Sequence, residues 1–113
     1  MNIDQGKLNE FMGRFVHDLG AVMHAATIVV GDRLGLYKAL AERPLTADEL
    51  ARRTETDARY VREWLSAQAA SGYVNYEPAS DCFGLSDEQA LALTVEGGPA
   101  FIPGAFEIAV AQF

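Results

Sequence analysis

Between Gln5 and Leu19 the apolar residues Leu8, Phe11, Met12, Phe15, Val16 and Leu19 recur at spacings of three and four. That spacing marks one face of a helix, and Lys7, Glu10, Arg14 and Asp18 occupy the other side. Gly13 weakens this first predicted helix slightly. From Ala21 to Leu34 the texture changes: Ala21, Val22, Met23, Ala25, Ala26, Ile28, Val29 and Val30 leave almost no polar face, and Gly20 marks a predicted break between the two helices. A helix that is apolar all round must be covered all round, and a chain of 113 residues has few elements for that purpose. A second copy of the chain is the expected cover. Homodimerisation through residues 1–34 follows, with Phe11, Phe15, Met23, Ile28 and Val30 as interface candidates. A central core helix in a monomer is the competing arrangement.

A short helix is expected over Leu36–Glu42, stopped by Pro44 because the residue before a proline disfavours helical geometry. Thr46-Ala47-Asp48-Glu49 is a capping box, and Leu45 is placed to staple onto Leu50, so the next helix starts at Ala47 and runs to about Arg53. Asp57 caps a helix over Ala58–Ser71, which Gly72 terminates. Two short strands, Tyr73–Tyr76 and Cys82–Leu85, flank a turn-rich loop, and Ser86-Asp87-Glu88-Gln89 is a second capping box opening a helix to about Leu93. The expected fold class is therefore mainly α: a helical dimerisation segment (1–34) followed by a winged helix-turn-helix with a small β-hairpin (35–94). Residues 95–113 form a third part, where EGGPAFIPGAF reads as a Gly- and Pro-rich loop with few partners and EIAVAQF begins another helical pattern. A pattern still apolar at Phe113 is expected to continue, so the chain reads as truncated.

A helix-turn-helix raises the question of DNA. The predicted inward face of the Ala58–Ser71 helix is Val61, Trp64, Leu65 and Gln68, which leaves Arg59, Arg62, Glu63, Ser66, Ala67 and Ala70 outside. The wing carries Glu77 and Asp81 and no base, and Leu45–Glu77 holds four arginines against six acids. With sixteen acids to nine bases the whole chain is at −7, so cation–phosphate contacts are in poor supply where a DNA reader needs them. A stand-alone transcriptional regulator is the alternative reading; nucleic acid is not the expected partner.

Candidate chemistry is sparse. His17 and His24 have no third ligand near them, so no metal site is expected, and neither has a nucleophile beside it. The lone Cys82 cannot form an internal disulfide and points to a reducing compartment, the cytoplasm. MNIDQGKLNE lacks the apolar core of a secretory leader, and the apolar stretch Gly20–Gly31 is shorter than the ~20 residues that span a bilayer. No glycine-rich strand-to-helix turn with an acidic ribose partner is present, so neither catalytic nor cofactor-binding residues are expected in this chain.

The strings HAATIVVGDRLGLYKAL, YVREWLSAQAASGYV, GLSDEQALAL and PAFIPGAF, in that order from His24 to Phe106, resemble the N-terminal region of bacterial class I S-adenosylmethionine-dependent methyltransferases that carry a winged helix ahead of the catalytic fold. The resemblance implies a dimerisation and substrate-lid domain, with Phe101, Ile102 and Phe106 over the acceptor site of an adjoining catalytic domain. It also implies a full-length enzyme that uses S-adenosylmethionine on a small-molecule methyl acceptor, while this chain alone is not catalytic.

Overall fold

In the computed structural model, which describes residues 1–98 and 100–111, the chain begins with one continuous helix, α1 (Gln5–Arg33). Asp4 caps it, its carboxylate accepting the Lys7 N–H at 3.1 Å. The expected break at Gly20 does not occur. Glycine inside a helix costs ~1 kcal/mol relative to alanine but does not stop it while its φ stays negative, and the flanking Leu19, Ala21 and Val22 tolerate a helix well. The glycine that ends the run is Gly35, at φ +75°, a left-handed conformation open to a residue without Cβ. At 29 residues, α1 is about 43 Å long at 1.5 Å per residue, and it accounts for most of the 58 Å long axis of a molecule only 34 × 25 Å across.

Four helices and a hairpin follow: α2 (Leu36–Glu42), α3 (Ala47–Thr54), α4 (Ala58–Ala70), β1 (Asn75–Glu77), β2 (Cys82–Gly84) and α5 (Asp87–Thr94). Both expected capping boxes form, with the Thr46 and Ser86 hydroxyls accepting from the N3 amides and the Glu49 and Gln89 side chains accepting from the cap amides. Asp57 caps α4 by accepting the Tyr60 N–H at 2.9 Å. At the other end, Gly72 at φ +81° lets the Gly72 N–H reach Ala69 O and the Tyr73 N–H reach Gln68 O, the paired bonds of a Schellman stop. That stop uses Tyr73 and Val74, so β1 begins at Asn75, later than the pattern predicts. β1 and β2 pair antiparallel with Tyr76 opposite Phe83. Leu45 adds a third contact to the sheet, exchanging both backbone hydrogen bonds with Phe83 at 2.8 and 2.9 Å.

The core lies beneath the winged helix, built from Leu36 and Leu40 of α2, Leu50 of α3, Val61 and Leu65 of α4, Phe83 of the wing and Leu93 of α5, with Leu45 between α2 and α3. The face of α4 read as inward (Val61, Trp64, Leu65, Gln68) is the buried one. Only the last third of α1 joins this core. Ile28 is fully buried there, and Gly31 lies against the Trp64 ring so closely that a Cβ would meet Trp64 Cζ2 at 2.3 Å.

A chain of polar contacts fixes α1 to α2 and α4. The Tyr37 hydroxyl donates to Gln68 Oε1 at 2.5 Å, Gln68 Nε2 donates to Thr27 Oγ1 at 3.0 Å, and the Trp64 indole N–H donates to Thr27 O at 2.9 Å. Buried polar groups satisfied in this way specify one alignment of three helices, since a shifted helix would orphan several of them. Burial also pushes the Tyr37 hydroxyl above the ordinary phenol range, so it stays a donor.

The tail departs from expectation. Instead of a loop with few partners, a sixth helix, α6 (Ile102–Ala111), starts five residues before the predicted point, with Pro103 in its first turn, where a missing N–H costs nothing. Pro103 is buried, Ile102 and Phe106 pack against the core, and Glu107 pairs with Arg33 at 3.1 Å, tying α6 to the end of α1. Pro99 and the two final positions of the predicted C-terminal helix, Gln112 and Phe113, lie outside the described residues.

Candidate interaction surface

At 100° per residue, the face of α1 that meets the winged helix holds His24, Thr27, Ile28 and Gly31. The apolar stripe through Leu8, Phe11, Phe15, Leu19, Val22 and Ala26 lies on the far side. Every residue before His24 is exposed. Of the interface candidates, Phe11 (68%), Phe15 (52%), Met23 (63%) and Val30 (36%) stand open, whereas Ile28 (0%) is sealed in the chain's own core. Ile28 is therefore removed from that set: two turns before the end of α1 the helix has reached the winged helix, and the periodicity puts residue 28 on the packed side. Val16, Met12 and Val22 join the exposed apolar surface. An apolar face this long on an otherwise polar helix marks an interaction surface.

Near the winged helix this surface deepens into a groove of about 350 Å³, walled by Ala21, Val22, Ala25 and Ala26 on α1 and by Phe106 and Val110 on α6. The groove is invisible in the sequence, because its two walls lie some 80 positions apart; the run of small residues at 21, 25 and 26 was its one local signal. Of the lid candidates, Phe101, Ile102 and Phe106 are all half-buried, with the Phe101 ring over Gly104. Phe106 thus serves the groove as well as the core.

The two histidines are not together. His17 is exposed, and His24 sits edge-on to the Tyr73 ring, centroids 4.6 Å apart, its Nε2 buried with no hydrogen-bond partner among the described residues. Burial holds the His24 imidazole below its ordinary pKa, favouring the neutral ring.

The outer surface of α4 offers little to a phosphate backbone. Arg62 is engaged by Asp48 at 3.1 Å, Arg59 lies 3.9 Å from Glu63, and on the wing the Tyr76 hydroxyl donates to Asp81. The two arginine pairs are exposed and individually weak, yet each places a carboxylate beside a cation that DNA would need. Among the described residues, no single helix is long and apolar enough to cross a membrane.

The model of the Rv2258c-like winged HTH domain family matches residues 21–95, from the second half of α1 through α5. The chain belongs to that family. No curated protein matches it in sequence. Among solved structures it is similar to the mitomycin 7-O-methyltransferase MmcR (TM-score 0.74, 24% identity), which it covers over 28% of that chain and 85% of its own. It is also similar to CalO1, a methyltransferase in calicheamicin biosynthesis solved with SAH bound (TM-score 0.68, 24% identity, 93% of this chain and 29% of that one). A third is RosA of Streptomyces davawensis, an N,N-8-amino-8-demethyl-D-riboflavin dimethyltransferase (TM-score 0.66, 26% identity, 87% and 28%). The fold is that of the N-terminal winged-helix region of class I methyltransferases, and the domain spans less than a third of each of these three enzymes.

The residues present do not fit the methyl donor. The described sheet is a two-stranded antiparallel hairpin, with no parallel strand leading through a glycine-rich turn into a helix N-terminus.

Proposed function

We propose that this is the dimerisation and substrate-lid domain of a small-molecule, S-adenosylmethionine-dependent methyltransferase working in the cytoplasm, with chemistry supplied by a separate catalytic domain. The observation that carries the reading is α1: the winged helix completes its own core with the last third of that helix, and the preceding turns present Leu8, Phe11, Met12, Phe15, Val16, Leu19, Val22 and Met23 to solvent. A second copy covers that face. The lid role rests on α6, whose Phe106 and Val110 border an apolar groove beside that surface, where a flat or apolar acceptor would be held.

Sedimentation equilibrium of the purified chain is expected to give twice the monomer mass at micromolar concentration, and Phe11→Asp to shift it to monomer while leaving the circular dichroism unchanged. A strict monomer at 100 micromolar overturns the dimer reading. In a protein that carries the catalytic domain, Phe106→Ala is expected to raise KM for the acceptor and leave KM for S-adenosylmethionine unchanged; equal effects on both, or on neither, overturn the lid reading.

A further inference from the structure

The walls of the α1/α6 groove are built from four alanines, two valines and one phenylalanine. None of these side chains donates or accepts a hydrogen bond. On the α1 side the backbone adds nothing, because mid-helix amides and carbonyls are bonded to one another. At about 350 Å³ the groove lies near the low end of ligand pockets, roughly 300–1,000 Å³, so it suits one end of an acceptor rather than the whole. We propose that the end of the methyl acceptor that enters this groove is uncharged and carries no hydrogen-bonding substituent, and that Ala25 sets how wide that end can be. The proposal rests on the lid reading above and adds the chemistry of what the lid covers.

A hydroxyl or amine set between these walls gives up its bonds to water and receives none in return, which disfavours it against a plain hydrogen on the same scaffold. Charge points the same way. Where α6 meets the end of α1, Arg33 is engaged by Glu107 at 3.1 Å, and Lys38 on α2 is engaged by Glu96 at 3.3 Å. Neither cation is free to meet an anionic substituent, and a chain at −7 repels one at long range. No carboxylate lines the groove to meet a cation.

Width depends on Ala25. Of the α1 residues that line the groove, Ala21, Val22 and Ala26 are exposed and Ala25 alone is half-buried, so it forms the floor. A longer side chain at Ala21 or Ala26 has solvent to swing into. At Ala25 it fills the groove from below. Alanine is also the smallest side chain that keeps full helix propensity, so this floor is as low as an unbroken α1 allows.

The test uses the whole chain and prodan, a neutral naphthalene fluorophore whose emission moves to the blue when it leaves water. Bound prodan is then displaced with naphthalene, 2-naphthol, 2,6-dihydroxynaphthalene or 2,6-naphthalenedicarboxylate. Naphthalene and 2-naphthol, whose single hydroxyl can stay at the open mouth, are expected to compete at similar concentrations. The diol buries a hydroxyl in either orientation and is expected to need about tenfold more, and the dicarboxylate not to compete. Ala25→Leu is expected to weaken prodan at least about tenfold with unchanged circular dichroism. Val110→Thr, which exchanges a wall methyl for a hydroxyl, is expected to narrow the gap between diol and naphthalene to about threefold. Equal competition by naphthalene and diol, with prodan still weakened by Ala25→Leu or Phe106→Ala, overturns the apolar-end proposal and leaves the lid reading intact. Prodan binding weakened by Phe106→Ala and untouched by Ala25→Leu overturns the role of Ala25. Prodan that does not bind, or that binds both variants as it binds the parent, overturns the proposal and the lid reading together.

Discussion

Three glycines in α1 provide a test of the packing in which a single substitution changes sign along one helix. Gly13 and Gly20 have nothing within 4 Å of an added Cβ, whereas at Gly31 that atom would lie 2.3 Å from Trp64 Cζ2 and 3.0 Å from both Trp64 Cε2 and Tyr37 Cε2. Carbon atoms pack at about 3.5–4.0 Å, so Gly31→Ala forces the indole back by more than 1 Å. The indole is not free to yield, because its N–H is anchored on Thr27 O and its edge on the Tyr37 ring, centroids 5.1 Å apart. Overpacking of this kind costs about 1–3 kcal/mol, and straining the indole hydrogen bond adds about 1 kcal/mol. Alanine's better helix propensity returns about 1 kcal/mol. The net expectation is a loss of about 1–3 kcal/mol.

Gly13→Ala and Gly20→Ala keep only the favourable part, a gain of about 0.5–1 kcal/mol each. For a domain of this size, 1 kcal/mol is worth about 4 °C in Tm. Thermal melts at one fixed protein concentration, since association shifts Tm, should therefore place Gly31→Ala about 4–12 °C below the parent and the other two about 2–4 °C above it. Gly31→Ala melting at or above the parent would refute the close approach of α1 to α4 from which the alignment of the long helix is argued.

Other consequences are checked by the same melts or by simple binding assays. Thr46→Ala and Ser86→Ala each remove the hydroxyl half of a capping box and should each cost ~1 kcal/mol by urea titration. Gln68→Leu keeps the volume near that of glutamine but orphans the buried Tyr37 hydroxyl; a loss of about 2–3 kcal/mol is expected, and a neutral result would show that this polar chain contributes nothing to the fold. Because burial lowers the folded-state pKa of His24 from 6.5, the unfolded chain binds that proton more readily. Stability should hold above about pH 7.5 and decline as pH falls through 6.5, a limb that His24→Phe should flatten in pH-dependent melts. Duplex DNA should show no shift in electrophoretic mobility with this domain even at low salt, and a salt-dependent shift would revive the regulator reading.

What the sequence revealed and what it hid divide along the range of the interactions involved. The caps at Thr46, Asp57 and Ser86 were readable because a cap is a contact between a side chain and an amide three residues on. The inward face of α4 was readable because a 3.6-residue period needs only thirteen residues to declare itself. The contact between Leu45 and Phe83, the descent of α6 onto α1 through Arg33 and Glu107, and the groove between those helices join residues dozens of positions apart. Nothing in the local pattern encodes them.

The stretch from Ala21 to Val30 is the instructive case. Its lack of a polar face suggested a helix covered on every side, and the structure assigns each side an owner. His24, Thr27 and Ile28 face the winged helix; Ala21, Val22, Ala25 and Ala26 border the groove with α6; Met23 and Val30 face outward. Only the first of these surfaces is buried within the chain, the second is an open groove, and the third continues without interruption into the exposed stripe from Leu8 to Leu19. Within the chain the winged helix and α6 each meet one side of this helix, and the surface that remains open is the one on which the dimer proposal rests. Because α1 runs unbroken through Gly20, the open surface is continuous from Leu8 to Met23.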